Sequence, residues 1–163
     1  MNAINTLPSL KPDTLIRNPE FGITVVSSVN VAAEANSVWQ IVGDFGGFTK
    51  FIPALASIEV IGNDVGSLRH KKFKDGLVVV EQLNSRDDGE RSMTWTTIYN
   101  NLGIGKLWAA MKVEAISDDT NSLATWTIIA EQGEGNSAST EEFQAFLQDF
   151  ADNAMSNVQS LFA

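Results

Sequence analysis

From Ile23 to Val31 apolar and polar positions alternate, placing Ile23, Val25, Ser27, Val29 and Val31 on one face of a strand. The period then changes. Ala32-Ala33-Glu34-Ala35-Asn36-Ser37 starts a helix, along which the apolar positions Val38, Ile41, Val42 and Phe45 recur as one stripe. Gly46-Gly47 ends it, and Phe48 to Ile52 reads as a second short helix stopped by Pro53. Between Ala56 and Ala130 the alternation returns. It predicts strands around Ile58 and Val60, then over 66–74, 77–85, 91–99, 106–116 and 123–130. The segment 91–99 sets Met93, Trp95, Thr97 and Tyr99 against Thr94, Thr96 and Ile98. Asp75-Gly76, Asp87-Asp88-Gly89 and Asp118-Asp119-Thr120-Asn121 supply turns short enough for an antiparallel meander.

After a polar loop over 133–140, the period becomes helical to about Leu161. Ser139 or Thr140 suits the cap, and Glu141-Glu142 suits the positive end of the helix. Phe143, Phe146, Leu147, Phe150, Ala151, Ala154, Met155 and Val158 make an apolar face about 30 Å long. Only the concave face of a sheet covers so long a stripe. The expected fold is therefore α+β: a curved antiparallel sheet gripping a long C-terminal helix. Residues 1–21 carry Pro8, Pro12 and Pro19 and read as an extended arm, leaving 22–163 as one ligand-binding domain.

The 163 residues are enough to bury a core, and 44% hydrophobic against 19% charged is a globular balance. The chain has no cysteine, which excludes disulfides, thiolate metal sites and cysteine nucleophiles. A net charge of −9 argues against nucleic acid and anionic membranes as partners. No stretch approaches the roughly 20 apolar residues of a membrane helix. Met1-Asn2-Ala3-Ile4-Asn5-Thr6 has neither the basic start nor the apolar run of a signal peptide, so a cytoplasmic location is the expectation. The sequence does not fix an oligomeric state.

Within this acidic chain one strand is basic: Arg69-His70-Lys71-Lys72-Phe73-Lys74. Alternation sets Arg69, Lys71 and Phe73 on one face and His70, Lys72 and Lys74 on the other. Two readings stand. The strand is a solvated edge whose lysines block pairing, or Arg69 and Lys71 point inward toward an anionic ligand group. Glu81 poses the same choice, because a carboxylate following Leu77-Val78-Val79-Val80 must be hydrated or paired. A single histidine, His70, cannot build a histidine metal site, and the acidic turns lack the spacing of a calcium loop. Gly103-Ile104-Gly105 is too short for a nucleotide fingerprint and reads as a flexible loop between strands. No metal or cofactor is expected.

Taken together, several segments resemble the START-like, or Bet v 1-like (SRPBCC), superfamily, in its polyketide cyclase/dehydrase-type branch. They are the stretch from Val29 to Gly47, then Gly66-Ser67-Leu68-Arg69, Asp75-Gly76, Val80-Glu81-Gln82-Leu83, Asp87-Asp88, Trp126-Thr127, Glu134-Gly135-Asn136-Ser137 and the final helix. The resemblance implies a helix-grip fold: a seven-stranded sheet, two short helices after the first strand and the long C-terminal helix around a hydrophobic cavity. It is distantly similar to plant abscisic-acid receptors. It departs from them at Lys74-Asp75-Gly76-Leu77 and at Gly103-Ile104-Gly105-Lys106-Leu107, and it has Thr49 and Lys50 near their ligand lysine. Hormone-gated phosphatase inhibition is therefore not implied.

The candidate ligand-binding residues are Arg69, Lys71 and Phe73 from the basic strand and Val79 and Glu81 from the next. Met93, Trp95, Thr97 and Met111 come from the meander, and Phe143, Leu147 and Ala151 from the final helix. The expected function is carriage or sensing of a small hydrophobic or amphipathic molecule in an internal cavity. The alternative is a cyclase or dehydratase acting on a polyketide-type or aromatic substrate. There Glu81 is the candidate acid–base group, with Tyr99 second if it faces inward.

Overall fold

The computed structural model describes residues 18–116 and 119–163. The arm proposed over 1–21 thus lies mostly outside the described residues; 18–21 are irregular. Asp118, from the predicted turn after the sixth strand, also falls outside them.

Seven strands form one antiparallel sheet: β1 (Ile23–Val31), β2 (Leu55–Ile61), β3 (Leu68–Phe73), β4 (Val78–Asp87), β5 (Ser92–Asn100), β6 (Ile104–Ala115) and β7 (Ser122–Gln132). Their spatial order is β1-β7-β6-β5-β4-β3-β2. Each strand from β2 to β6 pairs with its successor, as short turns require, and β1 closes against β7 with Ile23 opposite Ala130 and Val31 opposite Ser122. At the Asp75-Gly76 turn, Gly76 has φ 94, a conformation that side chains with a Cβ rarely adopt.

α1 (Ala35–Val42) follows β1 and packs on β6 and β7. It starts at Ala35 rather than at Ala32, because Glu34 stays extended and makes no side-chain cap. The second short helix is a single 3-10 turn, Phe48–Lys50. Gly46-Gly47 and Pro53 leave too little chain for more. Its role is to drive Phe48 and Phe51 into the core, where they are 0% and 1% exposed.

α2 (Thr140–Leu161) lies against β1 and β7. Ser139 caps it: its hydroxyl accepts the Glu142 N–H at 3.1 Å, and the Glu142 carboxylate accepts the Ser139 N–H at 3.1 Å. The buried stripe is Phe143, Leu147, Ala151, Ala154, Met155 and Val158. Phe146 and Phe150 fall at its edge, the former 50% exposed and the latter partly buried. The eight-residue apolar face expected from sequence is thus narrower than it looked, because the sheet covers α2 on one side and leaves the side of Phe146 and Phe150 over a hollow.

Candidate functional site

β3 is not an edge strand, because β2 pairs along its outer side. His70, Lys72 and Lys74 face water, while Arg69, Lys71 and Phe73 are buried. The solvated reading therefore holds for one face of β3 and fails for the other. Across the next pairing Arg69 stands opposite Glu81, and Glu81 stands opposite Thr97. The alternation that set these residues on one face in sequence becomes a row across three strands.

That row is an ion cluster. Glu81 Oε1 accepts from Arg69 Nε at 2.8 Å and lies 3.0 Å from Lys71 Nζ. Its Oε2 accepts from the Thr97 hydroxyl at 3.3 Å. Arg69 is also held by the Phe45 carbonyl, which accepts from Nη1 at 2.9 Å. Its guanidinium carbon lies 4.1 Å from the ring centres of both Phe45 and Phe48 and 4.7 Å from that of Trp95. A planar, weakly hydrated guanidinium tolerates such an aromatic cage better than an ammonium does.

Burial by itself pushes the Glu81 carboxyl upward. The charges of Lys71 and Arg69, with the hydrogen bonds they donate, outweigh it and hold the group down at about 2. Glu81 is accordingly a firm anion at neutral pH. Burial pushes the Lys71 ammonium below its usual range, and repulsion from Arg69 adds to this, while attraction to Glu81 offsets only part.

Beside the cluster, between the sheet and α2, lies a cavity of about 50 Å³. Lys71, Glu81 and Thr97 stand at its polar side, and Phe73, Val79, Trp95 and Leu147 help form its apolar walls. The remaining candidates stand elsewhere. Arg69 is sealed behind the rings of its cage and does not reach the cavity. Met93 and Met111 pair across β5 and β6 and are fully buried in the core outside the cavity wall. Part of the concave face is occupied: α1 packs on β6 and β7, and Phe48 packs edge-on to Trp95 and Trp126. Phe143 and Ala151 belong to the α2 stripe that is sealed in the core rather than to the cavity wall.

Tyr99 also differs from its sequence reading. It is 57% exposed and points away from the cavity. The register passes from Val80 opposite Tyr99 to Glu81 opposite Thr97, so Ile98 is an extra residue in β5. This bulge reverses the alternation beyond it.

Sequence reasoning passed over the β5–β6 connection. Asn100, Leu102 and Ile104 line the cavity. The Asn100 side-chain oxygen accepts the N–H groups of Leu102 at 2.9 Å and Ile104 at 3.2 Å, and its amide donates to the Ile104 carbonyl at 2.8 Å. Asn136 donates to the Gly103 carbonyl at 2.9 Å, tying this loop to the one before α2. The flexible loop expected at Gly103-Ile104-Gly105 is in fact pinned from both ends. The signal was there in Asn100-Asn101, residues whose side chains bond nearby backbone.

The family described as polyketide cyclase / dehydrase and lipid transport matches residues 22–162, nearly the whole described chain. The chain belongs to this family. Among solved structures, XoxI from Bacillus cereus is similar at 21% identity with a TM-score of 0.76, covering 85% of this chain and 94% of that one. A putative uncharacterized protein from Bacillus thuringiensis is similar at 20% identity with a TM-score of 0.76, covering 86% and 98%. The ZhuI aromatase/cyclase from Streptomyces sp. R1128 follows at 13% identity and a TM-score of 0.74, covering 86% and 93%. At these identities the likeness establishes the helix-grip fold. No curated protein matches the sequence significantly. Among the described residues no helix is long and apolar enough to cross a membrane.

Proposed function

We propose that this member of the polyketide cyclase/dehydrase and lipid transport family binds a small hydrophobic or amphipathic molecule between the sheet and α2. The observation that carries this reading is the apolar cavity with a buried polar wall, the charged Lys71 and Glu81 beside the Thr97 hydroxyl. Charges that deep cost several kcal/mol each to desolvate, about what only pairing or a bound polar group offsets. A packing solution with apolar residues is open to any sequence, so an ionic cluster at a cavity points to use.

The cavity itself has room for a few waters, at about 10–15 Å³ each. A ligand must therefore widen it. The side that gives is marked by Phe146 and Phe150, which are not sealed under the sheet.

A cyclase-like activity is the second reading, supported by the likeness to an aromatase/cyclase. It asks Glu81 to exchange a proton near neutral pH. A carboxyl held at about 2 is poorly matched to that task, which favours binding over acid–base chemistry.

The test is native mass spectrometry of freshly purified protein with extraction of anything bound, together with displacement of the dye ANS by apolar competitors. A recovered small molecule, or dye displaced in proportion to competitor, supports the reading. A cooperatively folded sample that carries nothing and binds no dye removes it.

A further inference from the structure

The ion cluster does not balance. Arg69 and Lys71 bring two positive charges and Glu81 one negative, and no other charged side chain shares an ion pair with them among the described residues. The partners divide unevenly too. Arg69 is fixed by Glu81, by the Phe45 carbonyl and by three rings; its Nη2 has no acceptor, but it lies away from the cavity and is not part of the cavity wall. Glu81 has both oxygens engaged. Lys71 alone of the two cations lines the cavity, and its ammonium has three hydrogens for the one carboxylate beside it. A second donor has no partner: the indole N–H of Trp126, a residue of the same cavity wall, is buried without an acceptor. The cavity is therefore short of an acceptor and short of one negative charge.

We propose that the ligand is an amphipathic monocarboxylate whose single anionic head sits against Lys71 Nζ. Its apolar body leaves past Phe150. Phe146 and Phe150 belong both to the cavity wall and to an outer groove of about 290 Å³ formed with Ile52, Pro53 and Ala54. A turn of the Phe150 ring joins the two spaces, which together reach the lower end of the roughly 300–1,000 Å³ usual for small-molecule sites. The inference rests on the reading of the cavity as a ligand site and adds the charge class. The burial that pushes the Lys71 ammonium down acts in the same sense, because a bound anion restores the charge that burial disfavours.

The experiment compares 1-naphthylacetate with the neutral 1-naphthylacetamide at pH 7, by calorimetry and by quenching of the tryptophans at the cavity. Wild type is expected to bind the acid roughly tenfold or more tightly than the amide, as a hydrogen bond between charged partners is worth more than a neutral one. Lys71→Met leaves the balanced Arg69–Glu81 pair and is expected to fold. In it the preference for the acid is expected to vanish. Equal affinity for acid and amide in wild type overturns the charge class and leaves the ligand site standing. A preference for the acid that survives in Lys71→Met overturns the assignment to Lys71. If neither compound binds a folded wild-type sample, the monocarboxylate proposal falls; failure of the dye and extraction tests as well removes the ligand site itself.

Discussion

Glu81 is the residue on which the buried cluster turns, since both cations depend on it. Replacing it with glutamine keeps the shape and removes the only negative charge. The expected loss is about 3–5 kcal/mol of stability, the range for breaking a buried pair by deleting one partner, measured by urea unfolding. An unchanged midpoint would show that water reaches Lys71 and Arg69. The cost is set by neighbours on other strands, which cannot be counted from the sequence. The pH dependence has a definite sign. Glu81 sits at about 2 in the folded protein against an ordinary value of 4.5. Its contribution is thus present above the ordinary value and lost as pH falls through the folded one. Stability is expected to decline between about pH 5 and pH 2. The triple variant Arg69→Met, Lys71→Met, Glu81→Leu removes the cluster. It is expected to be at least as stable at pH 7 and to lose less on acidification, since apolar replacements of buried ion groups are often neutral or better. A steeper acid loss in the triple variant would contradict the linkage.

At the scale of elements, α2 has two kinds of phenylalanine. Phe143 is 3% exposed and is clamped in the core stripe. Phe150 touches the rings of Phe73 and Trp126 at 6.2 and 5.9 Å but lies beside the cavity and the outer groove. Phe143→Ala is expected to cost about 3–5 kcal/mol and Phe150→Ala clearly less, because a side chain beside an existing hollow leaves less packing behind when it is removed. Thermal unfolding of the pair decides it, and the reverse order would mean that the phase of α2 is wrong. The helix start was legible in Ser139 and Glu142, a capping box four residues long. The helix edge was not. Periodicity marks residues as apolar without saying which of them a neighbouring sheet covers. The bulge at Ile98 makes the same point for strands, since one inserted residue turned Tyr99 outward with no mark in the local pattern.

For the whole molecule, a net charge of −9 surrounds a buried site with one positive charge to spare. An anionic ligand must approach through a repulsive field and is held only once inside. Its association rate is therefore expected to rise with ionic strength, opposite to the behaviour of electrostatically steered pairs. Stopped-flow fluorescence with 1-naphthylacetate at low and high salt measures this. A rate that falls with salt would mean that a local basic surface, rather than the acidic whole, guides the ligand.

The sequence by itself determined the strands, the capped final helix, the antiparallel order and the family, because each is written in local periodicity, turn residues and short motifs. It also determined that Arg69, Lys71 and Phe73 share a face, a consequence of the two-residue strand repeat alone. Which way that face points depended on the elements packed against the concave side of the sheet, a placement that no local rule dictates. Tertiary structure likewise decided that Phe45 and Phe48 cage Arg69, and that α1 and Phe48 occupy part of the concave face. It left the hollow beside Lys71. A cavity is the space that packing fails to fill, and such space belongs to no residue in the chain until all its walls are in place.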